Sequence, residues 1–346
     1  MKATVYHGTR DVRFETVADP VLRRPTDAIV RVTRAAICGS DLWFYRGIRP
    51  WTPGERTGHE FIGIVEAVGG EVRTLRAGDA VIAPFAISDG TCGFCKAGLQ
   101  TSCLHGEAWG DDANGAQAQA VRVPLADGTL VRMADGMANE PRTLASALAL
   151  CDVMGTGHHG VVMAGAHAGG DIAVIGDGAV GLCGVLSAAK VIGAERVFAV
   201  GHHPHRLDLA RTFGATHTYN SHDAGVAAQI IEATGGGSAA VLEAVGNQES
   251  LDLALQIVRP GGTVMFVGVP ATMERVDFRA LFTNNVALRG GVAPVRAYIP
   301  SLMDHVMSGR IDPSPVFDLA LPLDRVADGY AAMDERRAVK VILSAS

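Results

Sequence analysis

Two groups of metal-ligating residue types stand in the first half of this 346-residue chain. In one, Asp89-x2-Cys92-x2-Cys95-x7-Cys103 gathers a carboxylate and three thiols in one glycine-containing loop. That spacing suits a closed tetrahedral zinc site, with Asp89 giving an oxygen as the fourth ligand. In the other, Cys38 (in CGSD), His59 (in GHE) and Asp152 (in CDVMGTGHHG) lie far apart along the chain. Three protein ligands with an open fourth position form a catalytic zinc site, which polarises an oxygen and lowers the pKa of a bound alcohol or water. Taken singly, each residue has a plainer reading, since a lone cysteine is usually a small buried hydrophobe.

A third constellation has the pattern of a dinucleotide-binding loop, its plainer reading being a glycine-rich turn of purely structural value. The apolar run DIAVI is followed by Gly176-Asp177-Gly178-Ala179-Val180-Gly181 and then by a helical run. The first glycine permits the turn and the second lets a pyrophosphate approach the backbone. The third packs helix on strand, with the helix N-terminus toward the anion. An acidic residue closing the second strand would hold the ribose 2′-hydroxyl of NAD. Here RVFAV closes instead on Gly201, followed by His202, His203, Pro204, His205 and Arg206. No carboxylate there repels a 2′-phosphate, and Arg206 and the histidines offer it donors. The expected cofactor is therefore NADP(H) in preference to NAD(H).

The elements that carry these residues fall into two styles. The first 150 or so residues read as short β segments separated by Gly, Pro and Asp turns: ATVYH, AIVRVTRAAIC, FIGIVEAVGG, DAVIAPFAI and AQAVRVP. From Gly169 strands and helices alternate. Helices are expected over Gly181 to Ile192, Pro204 to Phe213, Ala224 to Ala233 and Ser250 to Ile257, between six short apolar strands. That alternation implies a doubly wound parallel sheet. After Gly291 the amphipathic run AYIPSLMDHVMSGRI and the strand AVKVILSA return the chain to the first domain. The length agrees with two domains of roughly 150 residues.

Composition excludes several classes of partner. Thirty Lys and Arg against 36 Asp and Glu leave a net charge of −6 with no basic stripe, so nucleic acid is not expected. No apolar run approaches the roughly 18 residues of a membrane span. The N-terminus shows no apolar leader core. Three of six cysteines crowded into one loop suit metal binding in a reducing compartment, so a cytoplasmic protein is expected.

Together CGSD, GHEFIGIVEAVG, the cysteine-rich lobe, TGHHG, GDGAVG, RPGGTVMFVG and the tail GRIDP…MDERRAVKV resemble the zinc-dependent medium-chain alcohol dehydrogenase family along essentially the whole chain. The resemblance implies an α/β protein: a GroES-like β-rich catalytic domain (residues 1–154 and 293–346) and a Rossmann domain (residues 155–292) with a doubly wound parallel sheet. It implies Cys38 and His59 as the first two catalytic zinc ligands and Glu60 as a carboxylate able to approach the metal. The third ligand lies four residues before the Thr of T-G-x-x-G, which selects Asp152 rather than Cys151, as in the formaldehyde dehydrogenase-like and bacterial secondary alcohol dehydrogenase branches.

Ser40 matches the hydroxyl that takes the alcohol proton. Trp43 stands where many relatives carry a relay histidine, and Asp89 where the family's C-x2-C-x2-C-x7-C pattern has its first cysteine. Trp43, Phe85 and Trp109 are candidate pocket walls, each equally able to fill core. An apolar pocket suits a small alcohol, aldehyde or ketone. Alternatives within the class are an NAD-dependent formaldehyde dehydrogenase-like enzyme, a polyol- or threonine-type dehydrogenase, and a zinc-free quinone reductase, against which the intact Cys38, His59 and Asp152 argue. Outside it stands a non-catalytic NADPH-binding protein. A homodimer or homotetramer is expected, with the strand at Val286 to Gly290 pairing across a two-fold, as in relatives.

Overall fold

The structure is a computed structural model and describes residues 1–110 and 115–345. The chain divides into two compact units: Met1–Asp152 with Pro294–Ser308 and Ser314–Ser346, and Val153–Ala293 with Gly309–Pro313.

The first unit opens with β1 (Lys2–Gly8) and β2 (Asp11–Thr16), an antiparallel hairpin that turns at Arg10 in the left-handed region (φ 59°). Next come β3 (Ala28–Ile37), β4 (Glu60–Val68), β5 (Ala80–Ala83), β6 (Ala120–Val123) and β7 (Val131–Arg132). The second unit contributes β8 (Asp171–Ile175), β9 (Arg196–Gly201), β10 (His217–Asn220), β11 (Ser238–Glu243), β12 (Val258–Phe266) and β13 (Ala287–Gly290). The chain then returns to the first unit with β14 (Leu319–Pro322) and β15 (Val341–Ser344).

In the first unit β3 is the pivot. It runs antiparallel to β4 on one edge; on the other it pairs with β6 over Ala28–Arg31 and with β15 over Arg34–Ile37. The sheet order is β14-β15-β3-β4-β5-β7, antiparallel except for the parallel pair β14–β15. Register decides what this sheet can build. Ala36 lies opposite Glu60, and Ile37 opposite Val341. The exit of β3 into Cys38, the entry to β4 after His59 and the entry to β15 after Lys340 thus meet at one end of the sheet. β5 stops short of the expected DAVIAPFAI because Pro84 has no N–H to continue the ladder. The core beneath is built on Phe61, Trp109, Tyr45 and Tyr330 with the aliphatic faces of β3, β4 and β15.

The second unit holds a six-stranded, all-parallel sheet in the order β10-β9-β8-β11-β12-β13. Strands β8, β9 and β11 are buried almost end to end, as strands covered on both faces must be. Strand order reverses between β8 and β11, the switch point where doubly wound sheets take their ligands. The expected helix over Gly181 to Ile192 forms as an α-helix at Ala179–Leu186 that runs into a π-helical turn, Ser187–Ile192. Among the described residues no helix is long and apolar enough to cross a membrane.

Candidate active site

At the shared sheet end, one donor atom from each of Cys38, His59, Glu60 and Asp152 lies within 4.8 Å of the others. The Cys38 thiol is 3.4 Å from Asp152 Oδ2, and His59 Nε2 is 3.7 Å from the same oxygen. Asp152 arrives from the end of the helix Pro141–Ala149. Its neighbour Cys151 is fully buried, with its thiol on the Phe61 carbonyl (3.1 Å), so it packs rather than joins the cluster.

Two supports went unread in the sequence. Asp41 accepts from the Cys38 N–H (3.0 Å) and from Gln117 Nε2 (3.3 Å), and its other oxygen lies 3.3 Å from His59 Nδ1. Gln117 is itself fixed by the Thr57 and Tyr330 hydroxyls and by the Ala36 carbonyl, a network with no solvent in which to move. Asp41 thereby orients the ring with Nδ1 protonated and leaves Nε2 for a ligand. Lys340 is the second support. Its Nζ is buried, donating to Glu60 Oε1 (2.7 Å) and to the Ile37 carbonyl (3.2 Å).

The electrostatics are those of a buried cluster of titratable groups that act on one another. Burial, with the Asp152 and Glu60 carboxylates, pushes the Cys38 thiol up to about 11. Burial opposes charge on His59, but Asp41, Cys38 and Asp152 outweigh it and hold the imidazole well above its usual value. Burial raises Glu60 despite Lys340, and its second oxygen is buried without a hydrogen-bond partner. A thiolate and two carboxylates so crowded repel one another, and a divalent cation relieves that repulsion while accepting the lone pair of a neutral imidazole. The donor set fits zinc.

Ser40 precedes the short helix Asp41–Tyr45 and is half-buried; Trp43 lies on that helix. Phe85 sets its ring edge-on to His59, with centroids 6.5 Å apart. Trp109 belongs to the core, edge-on to Phe61, its indole N–H on the Pro84 carbonyl (3.3 Å).

The second group also converges: Asp89, Cys92, Cys95 and Cys103 place donor atoms within 4.8 Å of one another. Here the backbone and the His105 ring provide the support. Asp89 Oδ1 accepts from the N–H groups of Thr91 and Cys92, and Cys103 Sγ from those of Asp89 and His105. Burial opposes ionisation of Asp89, but the His105 ring (2.6 Å) and the two amides outweigh it and hold the carboxyl well below the usual range. Burial and Asp89 push the Cys95 thiol up to about 12, while N–H groups of Cys95 and Leu104 lower Cys92. The donor set again fits zinc. His105 was not expected from the sequence.

In the second unit β8 leads into the glycine loop and the helix Ala179–Leu186, whose N-cap is Gly178. A Cβ on Gly181 would lie 1.9 Å from the Gly176 carbonyl, so helix and loop touch only because position 181 has none. A Cβ on Gly178 would meet nothing within 4 Å, which leaves an open cradle at the helix N-terminus. At the end of β9 the sequence expectation needs correction. Gly201 has no carboxylate of its own, but Asp177 from the glycine loop sets one there, bonded to the N–H groups of His202 (2.8 Å) and His203 (2.9 Å).

Comparison with known proteins agrees with this geometry. Residues 24–135 match the alcohol dehydrogenase GroES-like domain and residues 179–308 the zinc-binding dehydrogenase domain. The fold is similar to the alcohol dehydrogenase TADH from Thermus sp. ATN1, with a TM-score of 0.93 and 36% identity over 99% of each chain. A formaldehyde dismutase of Pseudomonas putida is 30% identical over 390 residues, covering 99% of this chain and 97% of that one. A protein of Sinorhizobium meliloti 1021 whose structure is bound to NADP is 27% identical, with a TM-score of 0.85 over 99% of this chain and 98% of the other.

Proposed function

Because the chain belongs to the zinc-dependent medium-chain alcohol dehydrogenase family, with a GroES-like domain and a Rossmann-like parallel sheet, we propose that it transfers hydride between a nicotinamide dinucleotide and a small alcohol and its aldehyde or ketone. The observation that carries the proposal is the convergence of Cys38, His59, Glu60 and Asp152. In this reading the catalytic domain spans residues 1–154 and 293–346, and the dinucleotide domain residues 155–292.

Cys38, His59 and Asp152 hold the catalytic zinc, which when bound acts as a Lewis acid toward the substrate oxygen. Asp41 keeps the proton on His59 Nδ1. Lys340 holds one oxygen of Glu60, so that this carboxylate stays beside the metal position without taking over from the three ligands. Ser40 Oγ would accept the alcohol proton, and with Trp43 in the place of a relay histidine that proton would leave through water. Phe85 and Trp43 wall the substrate position, which favours small apolar substrates over polyols. Asp89, Cys92, Cys95 and Cys103 hold a second zinc whose role is structural. The NADP(H) expectation had assumed a strand end without a carboxylate, and Asp177 removes that basis.

We further propose a cytoplasmic homodimer or homotetramer. Exposed Phe278, Phe282 and Val292, next in the chain to the edge strand β13, support self-association.

The test is metal content together with turnover. Elemental analysis is expected to give close to two zinc ions per chain, and a small-aldehyde and ketone panel to consume reduced nicotinamide cofactor. Zinc-loaded protein that binds cofactor but turns over no member of the panel would support the non-catalytic alternative.

A further inference from the structure

Asp177 lies in the glycine loop, where the dinucleotide pattern asks only for a residue that does not obstruct, yet its carboxylate is turned away to the end of the next strand. Oδ2 accepts from the His202 N–H (2.8 Å), the His203 N–H (2.9 Å) and His203 Nδ1 (3.0 Å). Arg206 Nη1 stands 3.8 Å from Oδ1. Both Asp177 and Arg206 are 8% exposed, so this cation is packed against the carboxylate rather than extended to solvent.

Gly201 closes the argument from the other side. A Cβ there would lie 2.5 Å from Asp177 Cβ and 2.6 Å from Oδ2. The φ of Gly201 is not in the left-handed region, so its backbone would admit a side chain if Asp177 were absent. Asp177 therefore occupies the room that the acidic residue of the second strand fills in an NAD-binding sheet. The residues that the sequence offered to a 2′-phosphate, namely His202, His203 and Arg206, are already engaged by this one carboxylate.

We propose that Asp177 is the cofactor-selecting residue of this chain, and that it selects NAD(H) by holding a fixed negative charge, and the turn's donors, where a 2′-phosphate would have to bind. The inference rests on the dinucleotide reading of the second unit. The group is charged near neutral pH: burial opposes its ionisation, but the His203 and His202 N–H groups and the His203 ring hold it below the usual carboxylate value. A 2′-phosphate would both meet that charge and have to displace it from its amides, whereas a ribose hydroxyl can donate to it.

The test is a binding titration on the zinc-loaded protein, reading the fluorescence of NADH and of NADPH without substrate and repeating the comparison by calorimetry with ADP-ribose and 2′-phospho-ADP-ribose. Wild type is expected to bind NADH tighter by about tenfold or more, the scale of one charge-assisted contact. Asp177→Ala should abolish or reverse the ratio, chiefly by tightening NADPH. Asp177→Asn keeps the shape and drops the charge, so it should move the ratio in the same direction if the alanine variant folds poorly. The double variant Asp177→Gly with Gly201→Asp, which returns the carboxylate to the strand end, should restore NADH preference. A wild-type preference for NADPH, or a ratio unchanged in both single variants, overturns the inference while leaving the dinucleotide site standing. Equal weakening of both cofactors makes Asp177 a loop support only and overturns it too. Wild type that binds neither cofactor overturns the dinucleotide reading, and the inference with it.

Discussion

The two metal-ligand clusters of the first unit contain similar donors but are held in place by different means. Cys38, His59, Glu60 and Asp152 come from strand and helix ends that only the sheet register brings together, and buried charged side chains, Asp41 and Lys340, stand behind them. Asp89, Cys92, Cys95 and Cys103 come from one short loop, where amides of that loop bond Asp89 and Cys103 and the His105 ring bonds Asp89. Amide support fixes a site and closes it. Side chains with their own protons leave a site open to ligand exchange and responsive to pH, as chemistry at a metal requires.

The largest effect should follow from breaking the first cluster. Cys38→Ser is expected to lower kcat by about a thousandfold or more, as loss of a catalytic metal ligand does. It should also remove about one zinc per chain, with little change in the melting temperature. Cys95→Ser tests the opposite pole. It should remove about one zinc and destabilise the protein by about 2–3 kcal/mol, the range for loss of a structural site. Scanning calorimetry alongside elemental analysis checks both. Two variants with the same phenotype would show that the clusters do not divide catalysis and structure between them.

Lys340→Met comes next. It leaves Glu60 buried beside Asp152 without its cation, a change that costs about 3–5 kcal/mol when a buried pair is broken. The double variant Lys340→Met with Glu60→Gln should recover most of that loss in a denaturant titration. The same double variant should alter zinc affinity, because Glu60 borders the metal position. Recovery of stability with no change in zinc binding would confine the pair to a structural role.

How much of this was legible beforehand follows the same division. The loop cluster is local, and its spacing alone names its four members. The catalytic cluster is non-local: Cys38, His59 and Asp152 could be grouped only by motif, and Lys340, alone in the apolar strand AVKVIL, showed no sign of its partner until Ile37 was placed opposite Val341. Asp41 stood in the quoted CGSD, but nothing in sequence shows that its carboxylate turns back to His59. The parallel sheet was readable because continuous apolar runs between helical periods have few other solutions. Strand β2 was not, since DVRFET carries three charges and pairs only through its hairpin. The helix Val153–Met163 was hidden by its glycines and histidines, which its nearly complete burial accommodates. At Gly201 the sequence reading took the strand end by itself, and that the Asp177 carboxylate from the glycine loop reaches the His202 and His203 N–H groups there was visible only in the fold.

The smallest expected effect concerns the metal-free protein, in which one ligand of each cluster, His59 and Asp89, should respond to pH in opposite directions. His59 is raised well above its ordinary 6.5, so its contribution is complete below about pH 6.5 and is lost as pH rises through the folded value. Asp89 is lowered from its ordinary 3.8, so its contribution is present above about pH 4 and is lost as pH falls toward the folded value. Melting of the chelator-treated protein should therefore weaken on the alkaline side through His59 and on the acid side through Asp89. His59→Gln should reduce the alkaline limb and leave the acid limb, whereas Asp89→Asn should remove the acid limb and, because Asp89 raises His105, also part of the loss above about pH 6.5. Adding zinc reverses the alkaline trend, because a ligand must shed its proton before it binds metal and zinc affinity rises with pH. An alkaline limb that persists undiminished in His59→Gln would move the titration elsewhere and remove the contrast between proton-bearing and amide-supported sites.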